Sequence, residues 1–565
     1  MNINLFYQTL RKLSISQIYY RINFLFKKKF NVYQNFYLKK RVKLFHDIKD
    51  IKDDAVNRNY SYDNELHLEM DVIDDIVKNK FIFLNHKIDF GEKINWNLSE
   101  DESKSRLWAF HLHYLDYLVD IAKLYIIKSD KKYFQYIKKT LLDWSSHNSL
   151  KDKNFDYAAW SRYAVSCRLI SLIRVYVLLK NSNLSDKLFF IFLRKLIIKH
   201  VLYLKDNLEL DILGNHIIKN YKALVFASIL FNDNELHLFT EKIYKKYILN
   251  QFSSESGMHK EFSPMYSSVV LEDLLDVYNL NRDKKLEDVI SKLLYCIDCL
   301  NDNDKLFYFN DCVDNFAKPF SYLKRFAKEI SISSEKIKRI NDLDGLIVFS
   351  SYEKNNIKLG INCANIPIQD GHYHCSNLSL ELFYKNLKFL TNSGVLGYSN
   401  NLNRNSFRST SYHNTLQFGS FEQSQIWSLF RVGKRAKSSY KISNDDVRNL
   451  FLKSNVVHYN GIVHKRTVEL DNMNYKLNIL DQVNSDKDVS RVYYHIHPKC
   501  IIKKLTENSL EISRENAKIR LNINEDFEII ETPFAEEFGK KQYQKTIFIR
   551  KSRSFKSIKT ILTFE

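Results

Sequence analysis

With 565 residues, 45% hydrophobic and 27% charged side chains, and only 12 glycines and 5 prolines, the chain is too long for a single hydrophobic core and too evenly mixed for a disordered or fibrous protein. Two large domains are expected. The formal net charge of +20 admits nucleic acid, anionic membrane and acidic polysaccharide as partners, although lysine spread this widely also fits a solvated surface. Seven cysteines, an odd number without repeating spacing, imply no disulfide framework and fit a reducing compartment.

Residues 1–55 read as a basic amphipathic segment, densest in charge at Lys27-Lys28-Lys29 and at Lys39, Lys40, Arg41 and Lys43. Charges interrupt its apolar positions, so it has no continuous apolar region of the kind that a secretion signal carries. No stretch of the chain reaches the roughly 18 to 20 apolar residues of a membrane span. A cytoplasmic protein is expected, with no transmembrane segment and with peripheral membrane contact at this leading segment.

From residue 56 to residue 335 the apolar spacing is helical, as in YLDYLVDIAKLYIIK, YFQYIKKTLLDW and RYAVSCRLISLIRVYVLLK. No fixed-length repeat is present, which leaves an irregular bundle or a toroid of helical hairpins. Cys296 and Cys299 form a C-x-x-C, but within the helical pattern SKLLYCIDCL and without a second pair, so core packing is expected of them. From residue 336 to residue 565 the texture changes to short alternating runs such as GLIVFSSY, NLSLELFY and RVYYHIH, which read as antiparallel β-structure. Helices followed by strands indicate segregated domains, with the change near residue 335.

Three segments carry candidate chemistry. Gly214-Asn215-His216 precedes a helical pattern, where Asn215 is a natural N-cap and the helix start favours an anion such as a carboxylate. In Phe262-Ser263-Pro264-Met265-Tyr266, Ser263 as N-cap and Pro264 at the first helical position set Tyr266 in the first turn. A phenol acting as base there needs nearby positive potential. In Gly371-His372-Tyr373-His374, residues two apart share a face, so His372 and His374 point into one site, which His413 completes as an all-histidine zinc candidate. The pair His495 and His497 has the same spacing within an ordinary strand.

Taken together, GNHIIKNYKALVFAS, SGMHKEFSPMYSSVVLEDLLDVYNL, FNDCVDNFAKPF, GHYHCSNLSLELFYKNLKFLTNSG, FRSTSYHNTLQFGSFEQS and FRVGKRA resemble, in order, the successive blocks of the heparinase II/III family. The upstream LWAFHLHYLDYL, around Trp108 and His113, is similar too. The resemblance implies an α/α toroid (an incomplete helical barrel) followed by an antiparallel β-sandwich. It implies a lyase that cleaves uronic-acid-containing glycan by β-elimination. Within it, Asn215 with His216 beside it matches the group that neutralises the substrate carboxylate, Tyr266 the base or acid near the glycosidic oxygen, and His372 its partner in proton transfer. His374 and His413 match histidines that hold a structural zinc in metal-binding members, the one cofactor implied. Secreted members of the family make the periplasm or cell envelope the alternative location.

The chain departs from this pattern at the zinc. Asn392 in TNSG stands where an Asp is expected, and Ser376 replaces another Asp after the histidine pair, and a neutral amide is a poorer zinc ligand than a carboxylate. Counting along a hairpin turned at Lys385-Asn386 sets Tyr398 rather than Asn392 opposite the histidines, as a second site tyrosine. Trp108, His113 and Arg408 join Tyr398 as substrate-binding candidates, the arginine through a sulfate, phosphate or carboxylate. Three rival readings stand beside the lyase. One is a weak or inactive family member serving capsule or surface-polysaccharide biosynthesis, another a hydrolase using Glu261, Glu272 and Asp273, and the third a nucleic-acid binder, for which no motif is present. The lyase reading requires the segments around residues 215, 266 and 372 to serve one cleft.

Overall fold

A computed structural model describes residues 3–29, 41, 51, 58, 60, 65–98, 105–149, 158–182, 184–351, 356–365, 371–399, 402–443, 449–471, 473–485, 489–551 and 557–565. Lys39, Lys40 and Lys43 of the second basic cluster lie outside the described residues. The chain divides into two compact units: Ser14–Gln251 with Val270–Ile290, and Met1–Leu13 with Phe252–Val269 and Ser291–Glu565.

The first unit is helical. Helix α1 (Ile3–Leu10) belongs to the other unit, while α2 (Ile15–Lys29) opens this one. Further helices follow at Met70–Val77, Arg106–Tyr114, Tyr117–Lys128, Lys131–His147, Arg162–Lys180, Lys187–Asp206, Gly214–Leu230 and Asn234–Ile243. Carboxylates start several of them. Asp130 accepts from the Lys132 N–H, Asp186 from that of Phe189, and Asp233 from those of Glu235 and Leu236. The helix Arg162–Lys180 is buried around most of its circumference and packs on Arg106–Tyr114, Tyr117–Lys128, Lys187–Asp206 and Gly214–Leu230. A helix apolar on every side has to be an inner one, and its neighbours enclose it.

The second unit carries two large antiparallel sheets. One runs, in spatial order, Phe527–Glu537, Lys540–Lys551, Ser490–Ile496, Leu387–Leu390, Leu380–Tyr384, Ile357–Asn362, Leu346–Ser350 and Ile340–Leu343, with Leu416–Phe418 also paired to Ser490–Ile496. The other runs Lys437–Ser443, Leu450–Val457, Val463–Asp471, Lys476–Val483, Ser557–Phe564, Ala517–Ile523, Ser509–Arg514 and Ile501–Thr506. A single apolar cluster draws Ile347, Leu359 and Leu382 from the first sheet and Leu452, Val468 and Leu562 from the second, so the two pack as a sandwich. Leu450–Val457 alternates buried and outward positions, as a half-buried strand does, whereas Leu346–Ser350, Ile357–Asn362 and Leu380–Tyr384 are buried on both faces. The cover on their second face is a cluster of Cys296, Cys299, Leu300, Phe307 and Phe309 packed on Val348 and Phe383.

That cover explains the division of the chain. Helix gives way to the strands of the large sheets between Phe320–Glu329 and Ile340–Leu343, while the compact unit resumes at Ser291 because residues 296–309 pack on the sheet. Cys296 and Cys299 are part of that apolar cover and are free thiols. The turn at Lys385-Asn386 is where it was expected, both residues having positive φ, and it joins Leu380–Tyr384 to Leu387–Leu390.

Candidate active site

The helix Pro264–Asn281 begins as its sequence predicts. The Ser263 hydroxyl accepts the Tyr266 N–H at 3.1 Å, and the same hydroxyl donates to the Asp311 carbonyl at 2.5 Å. One serine therefore fixes Tyr266 in the first turn and ties the Asp311 segment to it.

Asp311 is fully buried and shared by three side chains. Its Oδ2 accepts from His372 Nδ1 at 2.8 Å and from Arg404 Nη2 at 2.8 Å; its Oδ1 accepts from His374 Nε2 at 2.7 Å and from Arg404 Nη1 at 2.5 Å. Burial opposes the charge, but the two-pronged Arg404 contact and the two imidazoles outweigh it and hold the carboxyl well below the usual carboxylate range. Asp311 is an anion at neutral pH. With Nδ1–H committed to it, the His372 ring keeps its lone pair on Nε2.

The Tyr266 ring stacks on His372, with centroids 3.8 Å apart and planes at 27°, and its hydroxyl lies 2.9 Å from that of Tyr398. Burial first and the Asp311 charge second push both phenols up, which keeps them protonated at neutral pH. The Arg404 guanidinium sits over the Tyr398 ring at 4.9 Å. One unit thus assembles a neutral phenol, an imidazole oriented by a carboxylate, that buried carboxylate and an arginine.

Asn215 and His216 belong to the helical unit. Asn215 is not the N-cap. The helix starts one residue earlier at Gly214, the cap position falls on Leu213 with φ 65°, and the Gln251 side chain takes the Gly214 N–H at 2.9 Å. A branched residue in that region is strained, as is common beside functional residues. Asn215 is buried, and His216 keeps 30% of its side chain exposed, with Nδ1 3.0 Å from Glu209 and its ring 4.8 Å from that of Tyr163. Burial raises the Glu209 carboxyl, but His216 and Arg162 together hold it below its ordinary value.

Several expectations are corrected. Trp108 is fully buried and donates its indole N–H to the His86 carbonyl. His113, also fully buried, is hydrogen-bonded to the Trp96 carbonyl and to the Trp144 indole. Both are core residues with no surface for a sugar. Arg408 is buried too, its guanidinium spent on the carbonyls of Tyr373, Ser428, Leu429 and Arg431, so it is a structural clasp rather than an anion site. Asp273, one of the carboxylates of the hydrolase reading, is 1% exposed and ion-paired to Lys219 and Lys222, which removes it as a hydrolytic carboxylate.

The zinc expectation meets an incomplete donor set. His413 Nδ1 donates to the Ser409 carbonyl at 2.7 Å and His374 Nε2 to Asp311, which leaves His413 Nε2 and His374 Nδ1 facing each other at 3.0 Å. Burial pushes His374 down to about 4 and His413 well below the usual imidazole range. Two neutral nitrogens with tautomers fixed from behind are what a metal takes up, but a zinc site needs four ligands. Asn392 is spent on the backbone: its amide NH2 donates to the Tyr308 carbonyl at 3.0 Å and its oxygen accepts the Asn414 N–H at 3.0 Å. Among the described residues no group of three His, Cys, Asp or Glu is arranged to hold a metal ion, and the residues present do not fit a structural zinc.

Two family models together match most of the chain. The model of the heparinase II/III N-terminus matches residues 27–296, and that of the heparinase II/III-like C-terminal region matches residues 344–561. The chain belongs to the heparinase II/III family. Solved structures agree in fold, a helical toroid with an antiparallel sandwich. A heparinase III superposes with a TM-score of 0.76 at 15% identity, over 99% of this chain and 93% of that one. A mutant of the heparan sulfate lyase HepC from Pedobacter heparinus gives 0.63 at 18% identity, over 93% and 88%. The heparinase III BT4657 gene product gives 0.64 at 17%, over 94% and 88%. No curated protein matches the sequence.

Sequence reasoning passed over Asp311, Arg404 and Glu209. Asp311 stands in FNDCVDNF, one of the blocks that carry the heparinase II/III resemblance, and its place in that block was the available signal. Arg404 lies four residues before Arg408, one helical turn away, and nothing in the residue types distinguishes them.

Proposed function

We propose that this heparinase II/III protein is a polysaccharide lyase that cleaves uronic-acid-containing glycan by β-elimination. What supports the reading is the Tyr266–His372–Asp311 arrangement. An elimination needs a base for the C5 proton and an acid for the departing O4. His372 Nε2, left with the ring's lone pair because Nδ1–H is held by Asp311, removes the C5 proton. The C5–H electron pair becomes the C4–C5 double bond, the C4–O4 bond breaks, and the Tyr266 phenol gives its proton to O4. Tyr398 hydrogen-bonds that phenol and positions it, and exchange with solvent removes the proton from His372 and returns one to the Tyr266 oxygen before the next turnover. Asn215 and His216 take the family's role at the uronate carboxylate, where lowering negative charge stabilises the enolate-like intermediate.

The elimination leaves an unsaturated uronate that absorbs in the ultraviolet, and hydrolysis leaves none. Incubation with uronate-containing glycans should therefore give an ultraviolet-absorbing product from the wild type and none from Tyr266→Phe. New reducing ends without the chromophore would overturn the lyase reading.

A further inference from the structure

Helix α2 has one committed face and one open face. On the committed side Gln17 is buried, the Phe24 ring lies 4.0 Å beneath the Arg162 guanidinium, and Lys27 Nζ donates to the Asp206 carbonyl at 2.6 Å. On the other side Ile15, Tyr19, Ile22 and Phe26 follow at spacings of four, three and four residues, which is one stripe of a helix, with Leu25 beside it. All are largely open to solvent: Ile15 is 88% exposed, Tyr19 62%, Ile22 61%, Leu25 58% and Phe26 62%. A contiguous apolar stripe of this kind on a helix already anchored by its opposite face marks a surface that something covers.

Charge decides what covers it. The first 46 residues contain ten Lys and Arg and no Asp or Glu. Beside α2 the same unit has a cavity of about 380 Å³ whose lining includes Lys27, Arg162, Lys205, Lys242 and Lys246 against one carboxylate, Asp206. Lys242, Lys245 and Lys246 are exposed on the neighbouring turn. A second copy of the chain would set two strongly cationic segments against each other, an arrangement that like charge disfavours. At 15 residues α2 is shorter than the roughly 20 needed to cross a bilayer, so its geometry is that of a helix lying in the interface. We propose that α2 docks this protein on an anionic phospholipid surface, its apolar stripe entering the acyl boundary and the surrounding lysines meeting the headgroups. Apolar burial and basic charge act together here, the two signals that stable peripheral attachment needs. The proposal does not rest on the lyase reading.

Flotation of the full chain with vesicles tests it. Wild type should bind vesicles of phosphatidylcholine with phosphatidylglycerol, bind phosphatidylcholine alone at least about tenfold more weakly, and be released by high salt. Ile22→Glu with Phe26→Glu should reduce binding by about tenfold or more while far-ultraviolet circular dichroism and Tm stay unchanged. Ile15→Glu, at the most exposed position and at the helix start, should act in the same direction if the double variant does not fold. Ile501→Glu, 71% exposed in the other unit, should bind as wild type does and thereby controls for generic stickiness. Absence of wild-type binding to anionic vesicles overturns the proposal, as do equal binding by the stripe variants or a stripe-dependent dimer in light scattering without vesicle binding.

Discussion

Nδ1 of His372 lies 2.8 Å from a carboxylate oxygen of Asp311, so the acid fixes which ring nitrogen carries hydrogen and leaves the other as a base. The carboxylate is in turn held by Arg404 through both prongs of the guanidinium. Removing the acid should therefore cost both activity and stability. Asp311→Asn keeps the shape but loses the charge that orients His372, and kcat should fall by about a hundredfold or more with a smaller change in KM. Asp311→Ala, which strands the buried Arg404, should also lower stability by roughly 3 to 5 kcal/mol in urea titration. Unchanged kcat in Asp311→Asn would remove the acid from the mechanism.

Tyr398→Phe separates a positioning role from a proton-transfer role. It deletes one hydroxyl from the 2.9 Å contact with Tyr266, so kcat should fall by about tenfold, with fold retained and much activity left. Its pH profile should shift, because the phenol that delivers the proton loses its partner. A loss as complete as that of Tyr266→Phe would contradict a positioning role and place Tyr398 in the proton transfer itself.

Acid should unfold the second unit early, and the sign follows from two depressed groups. His374 has its folded value pushed down to about 4 from 6.5, so the unfolded chain binds the extra proton and stability falls as pH drops from 6.5 toward 4. That contribution is on the order of 3 kcal/mol across the window. Asp311 lies well below 3.8 when folded, so its contribution, whole above 3.8, is lost as pH falls further. Urea midpoints measured from pH 7 to pH 4 should fall more steeply for wild type than for His374→Gln. Parallel curves would contradict the assignment.

Much of this fold was legible in sequence because its signals are local. Ser263-Pro264 started a helix as capping chemistry requires, Lys385-Asn386 turned a hairpin through two positive φ angles, and the alternating runs after residue 336 form the strands of the two large sheets. What was not legible depended on tertiary partners. Trp108, His113 and Arg408 carry the residue types of a binding site, and only the fold shows that their polar atoms are consumed by the core. Asp311 is the converse. An aspartate in a loop becomes the hub of the site only when residues 372, 374 and 404 are brought to it.

Metal analysis bears on Asn392. Purified wild type should contain less than one equivalent of zinc, and chelator should leave its Tm unchanged. Asn392→Asp sets a carboxylate against the Tyr308 carbonyl, so the metal-free variant should melt several degrees lower, and added zinc should restore it through His374 and His413. Stoichiometric, chelator-sensitive zinc in the wild type would show that the amide completes the site after all.

The central claim is that His372 and Tyr266 remove and deliver the two protons of an elimination. The most direct measurement is solvent-independent loss of deuterium from C5 of a uronate-labelled glycan, followed together with ultraviolet absorbance. The account predicts C5 deuterium loss and absorbance rising together in wild type and absent in Tyr266→Phe and His372→Ala. Chain cleavage that retains C5 deuterium would contradict it.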